Sequence, residues 1–136
     1  MVEGISHITW VVRDIARTGD MLAAVLGAQM VYDSGARGFS LAPERFYTLG
    51  GVWLCVMQGE GQPAPAYDHV AFHVAEGALD ELERRVRAAG LTVRPPRPRV
   101  AGEGRSLYFY DFDNHLIELH TGTLAARLMR YGAEAR

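Results

Sequence analysis

The chain of 136 residues contains one cysteine, Cys55. A lone thiol closes no intrachain disulfide, so a packed core has to hold the fold and a reducing compartment is expected. Cys55 sits inside the apolar run VWLCVM, where it reads as a small buried hydrophobe and not as a nucleophile. Charge of one sign is lacking too: 14 Lys and Arg face 16 Asp and Glu, for a net −2. That balance argues against nucleic acid or a polybasic membrane patch as partner. No apolar run approaches the roughly 20 residues of a membrane-spanning helix. The opening MVEGISHITW has no basic segment leading into an apolar stretch, so it does not read as a signal peptide. A soluble, cytoplasmic protein with no membrane partner is the expectation.

Ordinary globular ingredients are present. Hydrophobic residues make up 49% and charged residues 22% of the chain, enough for one domain spanning 1–136. The pattern starts as a strand, with Ile5, His7, Thr9 and Val11 on one face and Ile8, Trp10 and Val12 on the other. A helix follows, with Met21, Leu22, Val25 and Leu26 at helical spacing and Gly27 as its stop. AQMVY reads as a strand and FSLAPERFYTL as a less regular segment. Gly50-Gly51 is a turn, and VWLCVM a strand buried on both faces.

The Gly- and Pro-rich stretch QGEGQPAPA, residues 58–66, reads as a linker. The pattern then restarts: YDHVAFHV as strand, ALDELERRVRAAG as helix ending at Gly90, LTV as a short strand, RPPRPRVAGEGR as a polar loop. SLYFYDF and HLIELH form a hairpin. A last helix runs from Thr123, its N-cap, to about Tyr131, with Leu124 and Leu128 turned inward. His7 to Gly27 spans 20 residues and His69 to Gly90 spans 21. The chain therefore reads as an internal βαβββ repeat, with module 1 at about 1–60, module 2 at about 66–122 and the terminal helix at about 123–131.

His7 and His69 occupy the same place in the two first strands, and Glu118 lies in the last strand of module 2. An unpaired carboxylate between Ile117 and Leu119 is costly to bury, and a cation would repay that cost. Two imidazoles and a carboxylate form a divalent-metal set that leaves open positions for water or substrate. The offset between the histidines carries Glu118 back to Val56, which binds no metal, so three of four symmetric positions are filled. Spacing alone leaves His73 and His120 as rival ligands, while His115 falls at the hairpin turn. The arginines of RPPRPRVAGEGRS, together with Tyr108 and Arg127, suit an anionic small molecule.

GISHITWVV, PERFY, YDHVAFHV, RPRVAGEGRSLYFYDFDNHLIELHTGTL and RLMRY resemble the fosfomycin-resistance proteins of the vicinal oxygen chelate superfamily. The resemblance runs from Gly4 to about Tyr131 and is nearest to the FosX type, the metal-dependent fosfomycin hydrolases. It implies an α+β fold of paired βαβββ modules and a homodimer with exchanged modules. It also implies a metal, typically Mn(II), held by His7 from one subunit and His69 and Glu118 from the other, which settles the choice against His73 and His120.

The substrates implied are fosfomycin, a small phosphonate epoxide, and water. Thr9, Arg97, Ser106, Tyr108 and Arg127 carry over as phosphonate contacts, with Arg99 two residues from Arg97 as the alternative. Glu44 carries over as the general base that activates water, the mark of the hydrolase branch. By residue pattern alone it reads as a loop surface residue. Three rivals stand beside this reading: a glutathione or other thiol transferase on the same drug, an Fe(II) extradiol-type dioxygenase, and a metal-free drug-binding module. A catabolic enzyme for natural phosphonates with weak fosfomycin activity is a further possibility within the same chemistry.

Overall fold

The computed structural model describes residues 1–134. The chain divides into two units, one built from Met1–Ala66 with Asp111–His115, the other from Tyr67–Tyr110 with the chain from Leu116 onward. Both follow the βαβββ plan.

In the first unit, β1 (His7–Val12), α1 (Ile15–Leu26), β2 (Gln29–Asp33), β3 (Glu44–Leu49) and β4 (Val52–Gln58) give a four-stranded sheet of order β1-β4-β3-β2. β1 runs parallel to β4, and the other pairs are antiparallel. Asp14 caps α1 by accepting a hydrogen bond from the Arg17 amide at 2.9 Å. Gly27 ends it in the left-handed region at φ 70°, where a side chain would be strained. The buried stripe Thr18, Met21, Leu22 and Val25 faces the sheet. Each fully buried Leu or Val there contributes about 1.5–3 kcal/mol. Period-two alternation splits the sheet: Trp10, Val12, Leu54, Val56 and Tyr47 are buried on one face, and His7, Thr9, Cys55, Phe46 and Glu44 share the other by register.

The second unit repeats this with β5 (His69–His73), α2 (Leu79–Ala88), β6 (Thr92–Arg94), β7 (Ser106–Tyr110) and β8 (Leu116–His120), in the order β5-β8-β7-β6. A short 3-10 turn, Glu76–Ala78, leads into α2. Acidic residues in the first turn and Arg85 and Arg87 in the last suit the helix dipole. Leu107, Phe109, Ile117 and Leu119 are buried with Leu79 and Val86 of α2. The opposite face carries His69, Ser106, Tyr108, Glu118 and His120. A terminal helix α3 (Leu124–Glu134) follows, capped by the Thr123 hydroxyl, which accepts from the Ala126 amide.

Several expectations change. The segment read as irregular contains β3, whose mixed composition hid a strand that β2 and β4 pair on either side. β4 is buried on both faces only at Leu54–Val56, and Trp53 is 40% exposed. Leu124 and Leu128 are not inward but 72% and 60% exposed; helical periodicity defines an apolar face without saying what covers it.

The strand register also moves the partner of Glu118. His7 pairs with Trp53 and Thr9 with Cys55 across β1 and β4, while His69 pairs with Leu116 and Ala71 with Glu118 across β5 and β8. The equivalent of Glu118 is therefore Cys55, not Val56, because the path from β7 into β8 is one residue longer than that from β3 into β4. Val56 lies on the helix-facing side, fully buried.

Candidate metal and anion site

In the second unit, His69 Nε2 lies 2.9 Å from Glu118 Oε2. His69 Nδ1 is 2.7 Å from the Tyr67 carbonyl oxygen. A carbonyl only accepts, so Nδ1 carries a proton, and Nε2 is the nitrogen turned to the carboxylate. An imidazole nitrogen and a carboxylate oxygen set together, able to share a proton or to ligate one cation, are the donor pair a divalent metal uses.

The other carboxylate oxygen is held from the protein side. Glu118 Oε1 accepts from Ser106 Oγ at 2.5 Å and from Arg99 Nη2 at 3.3 Å. Glu118 is 6% exposed. Burial acts to raise its pKa, but the opposing effects, led by hydrogen bonds from Ser106 and Tyr108, outweigh that and hold it below the usual carboxylate value. Burial pushes the Tyr108 phenol up, with Tyr67 and Glu118 adding to the effect, so it stays a protonated donor. Burial pushes His120 down against the opposing pull of Glu118.

An anion pocket adjoins these groups. A cavity of about 550 Å³ is lined by Arg87, Arg94, Arg97, Arg99, Ser106 and Tyr108 among others. Arg99 Nη2 reaches Ser106 Oγ at 2.7 Å and the Tyr108 hydroxyl at 2.9 Å. Its Nη1 is buried with no hydrogen-bond partner among the described residues, an open donor suited to an anionic oxygen. Arg97 lies 3.5 Å from Glu103. Glu103 also accepts from the Tyr131 hydroxyl and from the Val100 amide, and Arg130 Nε donates to the Ala101 carbonyl, so α3 ties down the arginine loop. Arg127 reaches His120 Nε2 at 3.3 Å.

In the first unit, His7 lies against Trp53, with ring centroids 4.4 Å apart, and its Nδ1 is 3.1 Å from Ser6 Oγ. Glu44 is no loop surface residue: it opens β3 and is 9% exposed. Cys55 Sγ donates to Glu44 Oε2 at 3.5 Å. Burial and the neighbouring Glu44 push the thiol up to about 11, which keeps it a neutral donor, while the Thr9 side chain hydrogen-bonds to it. By register Glu44 is the counterpart of Ser106, as Cys55 is of Glu118.

The second unit thus gathers His69, Glu118, Ser106 and Tyr108 with Arg99, His120 and Arg127, and the first gathers Glu44 and Thr9 around Cys55. Among the described residues no group of three or more His, Cys, Asp or Glu converges as a metal site. The sequence reading missed the Glu103–Tyr131 tie, for which neither residue carries a periodic or motif signal. It set His120 aside as a ligand without seeing its hydrogen bonds. His115 is structural: its ring Nδ1 lies 2.6 Å from Asp111 Oδ2.

Paired βαβββ units, with a histidine on each first strand and a carboxylate on the last, define a class. The chain belongs to the Glyoxalase/Bleomycin resistance protein/Dioxygenase superfamily, whose family model matches residues 4–119. Within that superfamily it is 50% identical over 130 residues to the fosfomycin resistance protein FosX of Mesorhizobium japonicum, covering 96% of this chain and 94% of that one. A crystal structure of a FosX variant from Listeria monocytogenes, complexed with Mn(II) and 1S,2S-dihydroxypropylphosphonic acid, superposes with a TM-score of 0.89 at 45% identity, covering 96% of this chain and 99% of that one. A metallothiol transferase FosB of Staphylococcus haemolyticus is 30% identical over 135 residues, 96% of this chain and 92% of that one. No helix among the described residues is long and apolar enough to cross a membrane.

Proposed function

We propose that this protein is a Mn(II)-dependent fosfomycin hydrolase that opens the epoxide with water and so confers resistance to the drug. The carrying observation is the His69 Nε2–Glu118 Oε2 pair at 2.9 Å beside the unpartnered Arg99 Nη1: a cation locus next to an anion donor, as a phosphonate epoxide requires. His69 and Glu118 would hold the metal with His7 supplied by a second copy of the chain in a homodimer. Exchange of modules between the copies accounts for two ligands on one unit and the third on the other. When bound, Mn(II) supplies Lewis-acid stabilisation of the oxygen released as the ring opens.

The protein's own groups do the rest. Arg97, Tyr108 and Arg127, with Thr9 and Ser106 of the carried-over set, line the phosphonate, and Arg99 adds its open guanidinium nitrogen. Glu44 takes a proton from water as the water oxygen bonds to the carbon bearing phosphorus. The carbon–oxygen bond of the epoxide breaks at that carbon, and the freed oxygen is protonated from solvent to give the diol. The Cys55 thiol donates to Glu44 and holds that carboxylate in place. A single, buried cysteine without a partner thiol in the chain suits a cytoplasmic setting.

The test is phosphorus NMR of the purified protein with Mn(II) and fosfomycin in the absence of thiol. The expected result is conversion to the diol. Turnover only after glutathione or bacillithiol is added would instead make the protein a thiol transferase.

A further inference from the structure

We propose that His120 is a positioning residue, the middle link of a directional relay from Arg127 through His120 and Ser106 to Glu118. The proposal rests on reading Glu118 as a metal ligand. The direction follows from donor counting. A guanidinium only donates, so Arg127 Nη2, at 3.3 Å, makes His120 Nε2 an acceptor. The imidazole proton is then on Nδ1, which lies 2.7 Å from Ser106 Oγ and donates to it. Arg99 Nη2 donates to the same hydroxyl at 2.7 Å.

Both lone pairs of Ser106 Oγ are thereby filled, and its one proton is directed to Glu118 Oε1 at 2.5 Å. The relay pins Oε1 and leaves Oε2 facing His69. Ser106 thus serves the carboxylate, so it lines the phosphonate by packing while Arg99 and Tyr108 offer the hydrogen bonds. Arg127 has two tasks in this arrangement. It is assigned to the phosphonate in the proposed function, and it fixes the tautomer that orients the ligand carboxylate. Groups one step behind a metal ligand typically change metal affinity 10–100-fold when removed.

Two measurements test the relay. The first is Mn(II) binding to the metal-free dimer, followed by electron paramagnetic resonance, for His120→Ala, His120→Asn and His120→Gln, with kcat and KM for fosfomycin alongside. An Asn amide nitrogen falls near the imidazole Nδ1 position, and a Gln amide nitrogen near Nε2. His120→Ala should weaken Mn(II) binding about ten-fold or more, His120→Asn should recover most of it, and His120→Gln should not. Unchanged Mn(II) affinity in His120→Ala, or equal recovery by Asn and Gln, overturns the proposal. The second is nitrogen-15 NMR of the unsubstituted protein, metal-free and loaded with diamagnetic Mg(II). A neutral His120 with its proton on Nδ1 supports the relay, and a proton on Nε2 overturns it. Because these readouts are binding and tautomer state, they hold even where the protein fails to turn over fosfomycin, a failure that would count against the substrate and not the relay.

Discussion

Asp111 fixes the turn that carries β7 into β8, and its removal should be felt far more than its replacement by asparagine. Its Oδ1 accepts from the backbone amides of Asp113 and His115, both at 2.8 Å, and its Oδ2 pairs with His115 Nδ1 at 2.6 Å. The carboxylate is 6% exposed and Asp113 2% exposed, so water cannot readily substitute. Asp111→Ala strands two amides and a ring nitrogen. At about 1 kcal/mol or somewhat more for each abandoned donor, the loss is about 3 kcal/mol, which for a domain of this size lowers Tm by roughly 10 °C. Asp111→Asn keeps one carbonyl oxygen for the two amides, and His115 can switch tautomer toward the new NH2 group, so its cost should stay near 1 kcal/mol. Urea and thermal melts at one fixed protein concentration measure both, since the stability of a self-associating chain depends on concentration. A loss below about 1 kcal/mol for Asp111→Ala, or equal losses for the two variants, refutes the argument that these three hydrogen bonds hold the turn.

Three further outcomes are expected. Glu44→Gln should retain Mn(II) and fosfomycin binding while kcat falls by about two to four orders of magnitude; calorimetric titration together with phosphorus NMR checks both, and undiminished turnover removes Glu44 as the base. His69→Ala should abolish tight Mn(II) binding, read as metal stoichiometry after dialysis, and a full complement of metal would refute the ligand pair. Glu103 has its pKa lowered from 4.5 to about 2, first by the Tyr131 hydroxyl, with burial opposing and the Val100 amide and Arg97 assisting. A lowered carboxylate stabilises the fold above its unfolded pKa and loses that contribution as pH falls toward the folded value. Tyr131→Phe should therefore flatten the stability profile between pH about 4.5 and about 2, measured by urea midpoints across that range, and a profile parallel to the parent's would contradict the assignment.

Much of this architecture was legible because local rules and tertiary structure agree. Alternation in HITWVV and LIELH, the stop at Gly27 and the restart after the Pro-rich stretch all follow from backbone chemistry that no distant contact overrides. β3 was not legible, since ERFYTL mixes charged, aromatic and β-branched residues, and its pairing with β2 and β4 decides its conformation. His69 and Glu118 could be seen because a polar residue in an apolar strand demands a partner. The equivalence of Glu118 with Cys55 could not, because a shift of one residue reverses the face of a strand and only the register reveals it. The arginine loop showed its charge in the sequence, but not that Arg97 leans on Glu103 while Arg99 reaches Ser106, Tyr108 and Glu118. An irregular loop has no period from which to read such a choice.

The exchanged rungs of the two sheets bear on how such a protein diverges. The carboxylate stands on β3 in one half and on β8 in the other, each facing a hydroxyl or thiol donor at the opposing position. By register each half offers two equivalent positions for a carboxylate, and each half fills a different one. On the proposed reading, that division separates two labours that would interfere at one location: a carboxylate that must bind a cation and one that must be free to take a proton. It also makes the symmetry of the two sheets a reservoir for new activities. A single exchange, Cys55→Glu, would place a carboxylate beside Thr9 on the strand paired with His7, and with it the rudiments of a second, independently evolvable centre.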